Sequence, residues 1–462
     1  MNKKIMLSIL LLLVVFIGGC ADEVGTEPLT TEVATETVEQ TTSRMVADDF
    51  VNKLLSGDFT SAHALLDGQM KQAIFSAFVL RLAWGELTSS MGEYVSHGEP
   101  RVVVGESVDV YLYPASFEKG NLLVQIAIID NLVAGLYVEE VLNNNELGNS
   151  NLPAPSDDLP EGVLEKDIII NKGTDIELYG KLTYPANAVY PIPVVVLVHG
   201  SGPQDMDETI GSNKPFKDIA YGLSKLGIAV LRYNKITYTH PSYITESNLS
   251  VDLETVNDAV AAKVALLEQS GLEFSKMYVA GHSQGGMMAP RIASFADYDG
   301  MIIMAGTTRD LIDISRDQNY YFYSDSVSAN ILAEFENEYA RAKEWISLPF
   351  EQITDSMTFG GLPIRYFKGM VYPSAEDYMK ELDIPTLIIQ GSKDFQVYAD
   401  IDFVRYKGIV ESLSDAKMIL YEGLNHMFMK STMEKPDISE YLIPANVDEQ
   451  VIKDIANWIL AH

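Results

Sequence analysis

Residues 276–280 read KMYVA, and Gly281-His282-Ser283-Gln284-Gly285-Gly286 follows them directly. An apolar run that meets a Gly-x-Ser-x-Gly pattern and then a helical stretch predicts a buried strand, a tight turn and a helix. Small residues on both sides of Ser283 let the chain fold back without collision, so the serine hydroxyl stands exposed at the end of the strand. The helix N-terminus beyond it favours negative charge developing at that point. The bare pattern recurs by chance; its position between strand and helix gives it weight.

Outward from this turn the same rhythm repeats. PVVVLVHG (193–200), GIAVLRYN (227–234), GMIIMAG (300–306), IPTLIIQG (384–391) and KMILYEG (417–423) are short apolar runs separated by helical stretches. Such runs predict buried parallel strands in a doubly wound α/β sheet. Two amphipathic strands, Asp167–Asn171 and Ile176–Tyr184, open the region. Ligands of such sheets bind at the carboxyl ends of the strands, where the polar residues of these runs fall.

A serine nucleophile needs a base, and behind this kind of turn the acid and then the histidine follow in chain order. Two histidines follow Ser283: His426, in YEGLNHMF just past the last apolar run, and His462 at the end of a helical tail. His426 is the expected base, with His462 expected to fray. The expected acid is Asp394 in QGSKDFQV, placed to orient the imidazole and to stabilise imidazolium; Asp310, in AGTTRD, is its competitor. The developing oxyanion needs two backbone donors. Gln284, the residue after the nucleophile, supplies one, and the loop His199-Gly200-Ser201-Gly202-Pro203 supplies the other, assigned by analogy to Ser201 with Gly200 and Gly202 as near alternatives. His199 and His282 read as packing or hydrogen-bonding residues. A dinucleotide site is not expected, because HGSGP lacks the third helix-packing glycine.

HGSGPQDMDE (199–208), NKPFKDIAYGLSKLGIAVLRY (213–233), GHSQGG (281–286), QGSKDFQV (390–397) and YEGLNHMF (421–428) together resemble the α/β-hydrolase superfamily, and within it the EstD-like group of secreted bacterial carboxylesterases. The resemblance covers about 164–462 and implies an α/β-hydrolase fold with a cap insertion at about 307–384. It implies Ser283, Asp394 and His426 as a catalytic triad, with Ser201 and Gln284 as the oxyanion hole. It also implies a small-molecule ester as substrate and no metal or organic cofactor. Relatives carry Asp-Lys-Arg after the fourth strand, whereas this chain has Asn234-Lys235-Ile236 followed by TYTHPSY. The cap region is rich in aromatics, some of which are expected to line an acyl or alcohol pocket. The same scaffold leaves peptidase, thioesterase and acyltransferase activities open, and a catalytically inert, surface-tethered binding protein is the reading from another class.

The first half is organised differently. MNKKIMLSILLLLVVFIGGC (1–20) has two lysines, an apolar run too short for a permanent bilayer span, and small residues before Cys20. This resembles a lipoprotein signal peptide whose cysteine becomes the lipid attachment point, which implies export and a membrane anchor. Residues 21–43 hold six acidic and no basic residues, which predicts a disordered tether. Residues 44–142 show helical spacing over Met45, Phe50, Val51, Leu54 and Leu55, a second helical stretch over 70–91, and then β-like runs. A small α+β domain is expected, resembling the cone-shaped fold of nuclear transport factor 2. His63 and His97 are isolated and carry no expected chemistry. A linker follows at 143–163.

The chain has 462 residues, 33 basic against 65 acidic, for a net charge of −32, and a single cysteine. The charge argues against a nucleic-acid partner, and one cysteine excludes an internal disulfide or a thiolate zinc site. The oligomeric state is not legible.

Overall fold

The computed structural model describes residues 38–140 and 159–462, apart from 68–69, 72–73, 75–76, 89–90, 105–108, 130, 211–212, 246, 324–328, 438–439 and 442. The expected signal peptide with Cys20 and most of the tether and linker lie outside the described residues. Two compact units divide the chain, Met1–Leu152 and Pro153–His462.

In the first unit, helices Val38–Ser56, Phe59–Ala64 and Ala77–Thr88 precede five strands: β1 (Tyr94–His97), β2 (Arg101–Val104), β3 (Asp109–Phe117), β4 (Gly120–Ile129) and β5 (Leu132–Glu140). The sheet is antiparallel, ordered β1-β3-β4-β5, with β2 also on β3. Ala47, Phe50, Val51 and Leu54 of the first helix share a core with Tyr111, Tyr113, Val124, Ile126 and Val133 of the sheet. The first helix corrects the expected tether: it begins at Val38, inside 21–43. The buried face extends back one turn from Ala47 to the polar Ser43. The second helical stretch is also shorter than 70–91, and β1 carried no signal, since three of its four residues are exposed. His63 is a core residue whose Nε2 lies 2.6 Å from the Ile74 carbonyl oxygen, and His97 is half-buried beside Asn52.

The second unit is built on an eight-stranded sheet: β6 (Val163–Ile170), β7 (Leu178–Pro185), β8 (Ile192–Val198), β9 (Ala229–Tyr233), β10 (Phe274–His282), β11 (Gly300–Met304), β14 (Thr386–Gly391) and β15 (Ala416–Tyr421). The intervening β12 (Thr358–Phe359) and β13 (Leu362–Pro363) form a separate small hairpin. The order is β15-β14-β11-β10-β8-β9-β7-β6, with β7 antiparallel to both neighbours and the other pairings parallel. This is the α/β-hydrolase arrangement. Of the two opening strands, the first begins earlier than expected, at Val163, and the second starts two residues later, at Leu178, and ends one later, at Pro185. Alternate side chains of β8 serve the two faces: Val195 and Leu197 join Phe216, Leu223, Val451, Ile455 and Trp458 in one core, under the helices Pro215–Lys225 and Glu449–Ala461.

The chain leaves β8 for β9 on one side and returns to β10 on the other. The direction of winding therefore reverses at β8, which opens a crevice between the carboxyl ends of β8 and β10. Between β11 and β14 the insertion contributes helices Leu311–Tyr323, Ala329–Ser347, Ile364–Val371 and Ala375–Leu382, with the β12–β13 hairpin.

Candidate active site

The crevice between β8 and β10 holds the Ser283 turn. Ser283 has φ 54° and ψ −115° between β10 and the helix Gln284–Ala296, a conformation that costs an L-residue about 1–3 kcal/mol and persists only where its surroundings enforce it. They do so by close packing. A Cβ on Gly281 would fall 2.0 Å from the Gly285 carbonyl oxygen, and one on Gly285 would fall 2.3 Å from that of Val198. The Ser283 N–H is held by the Met304 carbonyl at 2.8 Å. The loop after β8 lies against the serine, because a Cβ on Gly200 would sit 3.8 Å from Ser283 Oγ.

Asp394 and His426 come from the ends of β14 and β15, which pair in parallel register. His426 Nδ1 is 2.7 Å from Asp394 Oδ2, with both side chains buried. That carboxylate is fully engaged. Oδ1 accepts from the N–H groups of Gln396 and Val397, and Oδ2 also accepts from Gln390 Nε2 at 2.6 Å. The His426 loop is pinned by Asn425, whose Oδ1 accepts from the N–H groups of Met427 and Met429. His282, next to Ser283, packs against His426 with ring centroids 4.6 Å apart and planes tilted by 51°, so the Asp394–His426 pair stands beside the serine turn.

The remaining candidates fall elsewhere. Asp310 is taken by Lys343 at 2.5 Å and caps the helix behind it, which leaves Asp394 as the carboxylate on His426. His462 is not frayed: it ends the last helix with Nδ1 2.6 Å from the Trp458 carbonyl oxygen and Nε2 3.2 Å from Asp415. His199 packs between Phe216 and Tyr233, and burial, partly opposed by Glu208, pushes its pKa down to about 4. It is therefore neutral near pH 7.

Within residues 200–202 one backbone donor stays open. Gly200 N–H donates to Glu208 Oε1 at 2.7 Å and Gly202 N–H to Glu254 Oε1 at 3.0 Å. Among the described residues the N–H groups of Ser201 and Gln284 meet no acceptor, and both flank the serine. The near alternatives Gly200 and Gly202 are occupied.

Residues 47–136 match a family described as protein of unknown function DUF3887. The chain is also 33% identical over 412 residues to Esterase EstD of Thermotoga maritima, an alignment that spans 89% of this chain and 94% of that one. The chain belongs to this esterase family. Solved structures similar to the esterase include Est1E from Butyrivibrio proteoclasticus (19% identity, 64% of this chain and 99% of that one, TM-score 0.39). Another is the acylaminoacyl peptidase of Pyrococcus horikoshii (14% identity, 80% and 50%, TM-score 0.40).

Glu208, Lys235, Glu254 and Tyr366 had no readable role in the sequence, and Glu208 acts together with His282. Glu208 Oε2 lies 3.0 Å from His282 Nδ1, and His282 Nε2 lies 3.0 Å from the His426 carbonyl oxygen. Nε2 thus meets a hydrogen-bond acceptor, while Nδ1 sits beside the carboxylate at ion-pair distance, a setting that favours the imidazolium. Burial works against that charge, but the Glu208 carboxylate outweighs it and raises the His282 pKa; in turn the imidazolium holds Glu208 below its ordinary value despite burial. Lys235, Glu254 and Tyr366 form a second buried cluster around Gln284. Lys235 stands in the stretch that departs from the Asp-Lys-Arg of relatives, and its position just past β9 was the one available hint.

Proposed function

We propose that this esterase hydrolyses carboxylic esters through an acyl-enzyme on Ser283. The observation that carries the reading is the convergence on one strained turn of a buried carboxylate–imidazole pair and two open N–H donors. In this reading His426 takes the Ser283 proton as the hydroxyl attacks the ester carbonyl. Asp394, held by its own donors, keeps the imidazole in the tautomer whose Nε2 accepts that proton and then stabilises the imidazolium. The N–H groups of Ser201 and Gln284 receive the tetrahedral oxyanion. His426 returns the proton to the leaving alcohol, and water, activated by the same base, releases the acid and regenerates the serine. Ser283→Ala should lower kcat/KM on a short-chain aryl ester by at least about 10³-fold, with the melting temperature held at or above the wild-type value. Retention of hydrolysis in a Ser283→Ala protein free of contaminating esterase contradicts the assignment.

We further propose that the protein is exported and acylated at Cys20, held at the outer face of a bacterial membrane. The reading rests on Lys3-Lys4, the apolar run from Ile5 to Ile17, and Gly18-Gly19 before the single cysteine. Growth on an alkyne fatty acid should label the wild-type chain, and Cys20→Ala should abolish the label; equal labelling of both refutes it.

A further inference from the structure

Lys235 is 1% exposed and carries three N–H donors, and its surroundings use all three. Nζ donates to the Gly200 carbonyl at 2.7 Å, the Gly202 carbonyl at 3.0 Å and Glu254 Oε1 at 2.8 Å. Glu254, fully buried, returns the hold on the same loop by accepting the Gly202 N–H. The Ser201 carbonyl accepts from Gln204 Nε2 at 3.4 Å. Every backbone polar group of residues 200–202 is thus engaged except the Ser201 N–H.

That exception follows from peptide geometry. The Gly200 carbonyl and the Ser201 N–H belong to one planar trans unit and point in opposite directions. Fixing the oxygen on Lys235 turns the N–H to the opposite side of the peptide unit, in a loop that packs against Ser283 at Gly200. The cluster reaches the second donor too. Glu254 Oε2 accepts from the Tyr366 hydroxyl at 2.5 Å, which accepts from Gln284 Nε2 at 2.8 Å, while Gln284 Oε1 accepts from Thr255 Oγ1 at 3.1 Å. Burial, and then the charge of Glu254, raise the Tyr366 phenol well above its ordinary pKa, so it remains a donor. Tyr366 belongs to the cap insertion, on the helix Ile364–Val371.

We propose that Lys235 and Glu254 are positioning residues that aim the Ser201 N–H at the oxyanion, and that Tyr366 couples the cap insertion to the Gln284 side of the same hole. The inference rests on the serine-esterase reading of the site. It also gives the Asn234-Lys235-Ile236 stretch a role: the lysine is structural to the transition state and never meets substrate.

The test uses the full chain and two readouts that a general loss of stability does not link. One is the separation of kcat from KM on a short-chain aryl ester. The other is the Kd of a trifluoromethyl ketone, which adds to a serine as a hemiketal oxyanion and so reports the hole directly. Lys235→Met should lower kcat by about 10²-fold, as loss of one oxyanion donor does, weaken the ketone by a similar factor, and leave KM nearly unchanged. Tyr366→Phe removes one hydroxyl at constant shape, so it decides the matter if Lys235→Met does not fold; it should lower kcat and ketone affinity by a common factor of about three to ten. Wild-type kcat and ketone affinity in a folded Lys235→Met, or in Tyr366→Phe where the lysine variant does not fold, overturn the positioning role. So does a fall in kcat without a matching loss of ketone binding, or a change confined to KM. Ser283→Ala run alongside keeps the two failures apart: its retained activity sinks the serine reading, whereas an inactive Ser283→Ala with an unaffected Lys235→Met sinks only this proposal.

Discussion

At the residue scale, the site uses two carboxylate–imidazole pairs with different duties. Asp394–His426 is the pair proposed to serve Ser283, whereas Glu208–His282 braces three loops, since Glu208 also holds the Gly200 N–H and His282 holds the His426 carbonyl. The second pair is charged and buried, so its contribution depends on pH in a definite sense. Glu208 is held below its ordinary value of 4.5, so its part is present above 4.5 and fades as pH falls through the depressed pKa. His282 is held above its ordinary 6.5, so its part is complete below 6.5 and fades as pH rises through the raised pKa. Glu208→Gln should therefore cost about 3–5 kcal/mol, the usual result of removing one partner of a buried pair. The loss, measured by urea denaturation across a pH series, should be greatest between those two ordinary values and shrink on either side. A loss independent of pH contradicts the charged pair.

The same scale shows what a sequence can and cannot display. Ser283, Asp394 and His426 were legible because each follows an apolar run, and the ends of parallel strands share one edge of the sheet. Glu254 and Tyr366 were not, because they are 112 residues apart and a buried polar pair has no periodicity to announce it. Lys235 keeps the central lysine of an otherwise altered Asp-Lys-Arg run, and nothing in that run announced that its ammonium group holds the carbonyls of the loop after β8.

At the scale of elements, the strands were legible from apolar runs, but their ends moved where pairing overrode composition. Pro185 extends β7 by one residue because it pairs with Val163 of the edge strand β6, at the strand's end and beyond the residues paired with β9, where a missing N–H is tolerated. The last helix, Glu449–Ala461, illustrates packing that composition did announce: Val451, Ile455, Trp458 and Ile459 cover one face of the sheet, and Trp458 meets Tyr278 of β10 edge-on at 5.5 Å. Because β10 carries the Ser283 turn, deleting 449–462 should expose that core and abolish cooperative unfolding along with ester hydrolysis. A truncated chain with a sharp thermal transition and wild-type activity contradicts this dependence.

At the scale of the whole molecule, every residue of the candidate site lies in the unit Pro153–His462, and the first unit has its own core. Residues 153–462 produced alone should fold and hydrolyse a small soluble aryl ester with kcat/KM within about threefold of the full chain, as expected of an independent domain. A much larger loss assigns the DUF3887 unit a part in catalysis. The net charge of −32 is spread over both units and keeps them soluble and repelled from anionic surfaces. Under the proposed anchoring at Cys20, that repulsion projects the esterase away from the lipid.

The central claim is that Ser283 is the nucleophile of an ester hydrolase, and a fluorophosphonate tests it most directly. Incubation of the full chain with the probe, followed by digestion and mass spectrometry, should give one phosphonyl adduct on Ser283, with hydrolysis lost in proportion to labelling and both effects absent in His426→Ala. Complete recovery of unmodified Ser283 from an active preparation, or inactivation through an adduct on another residue, contradicts the account.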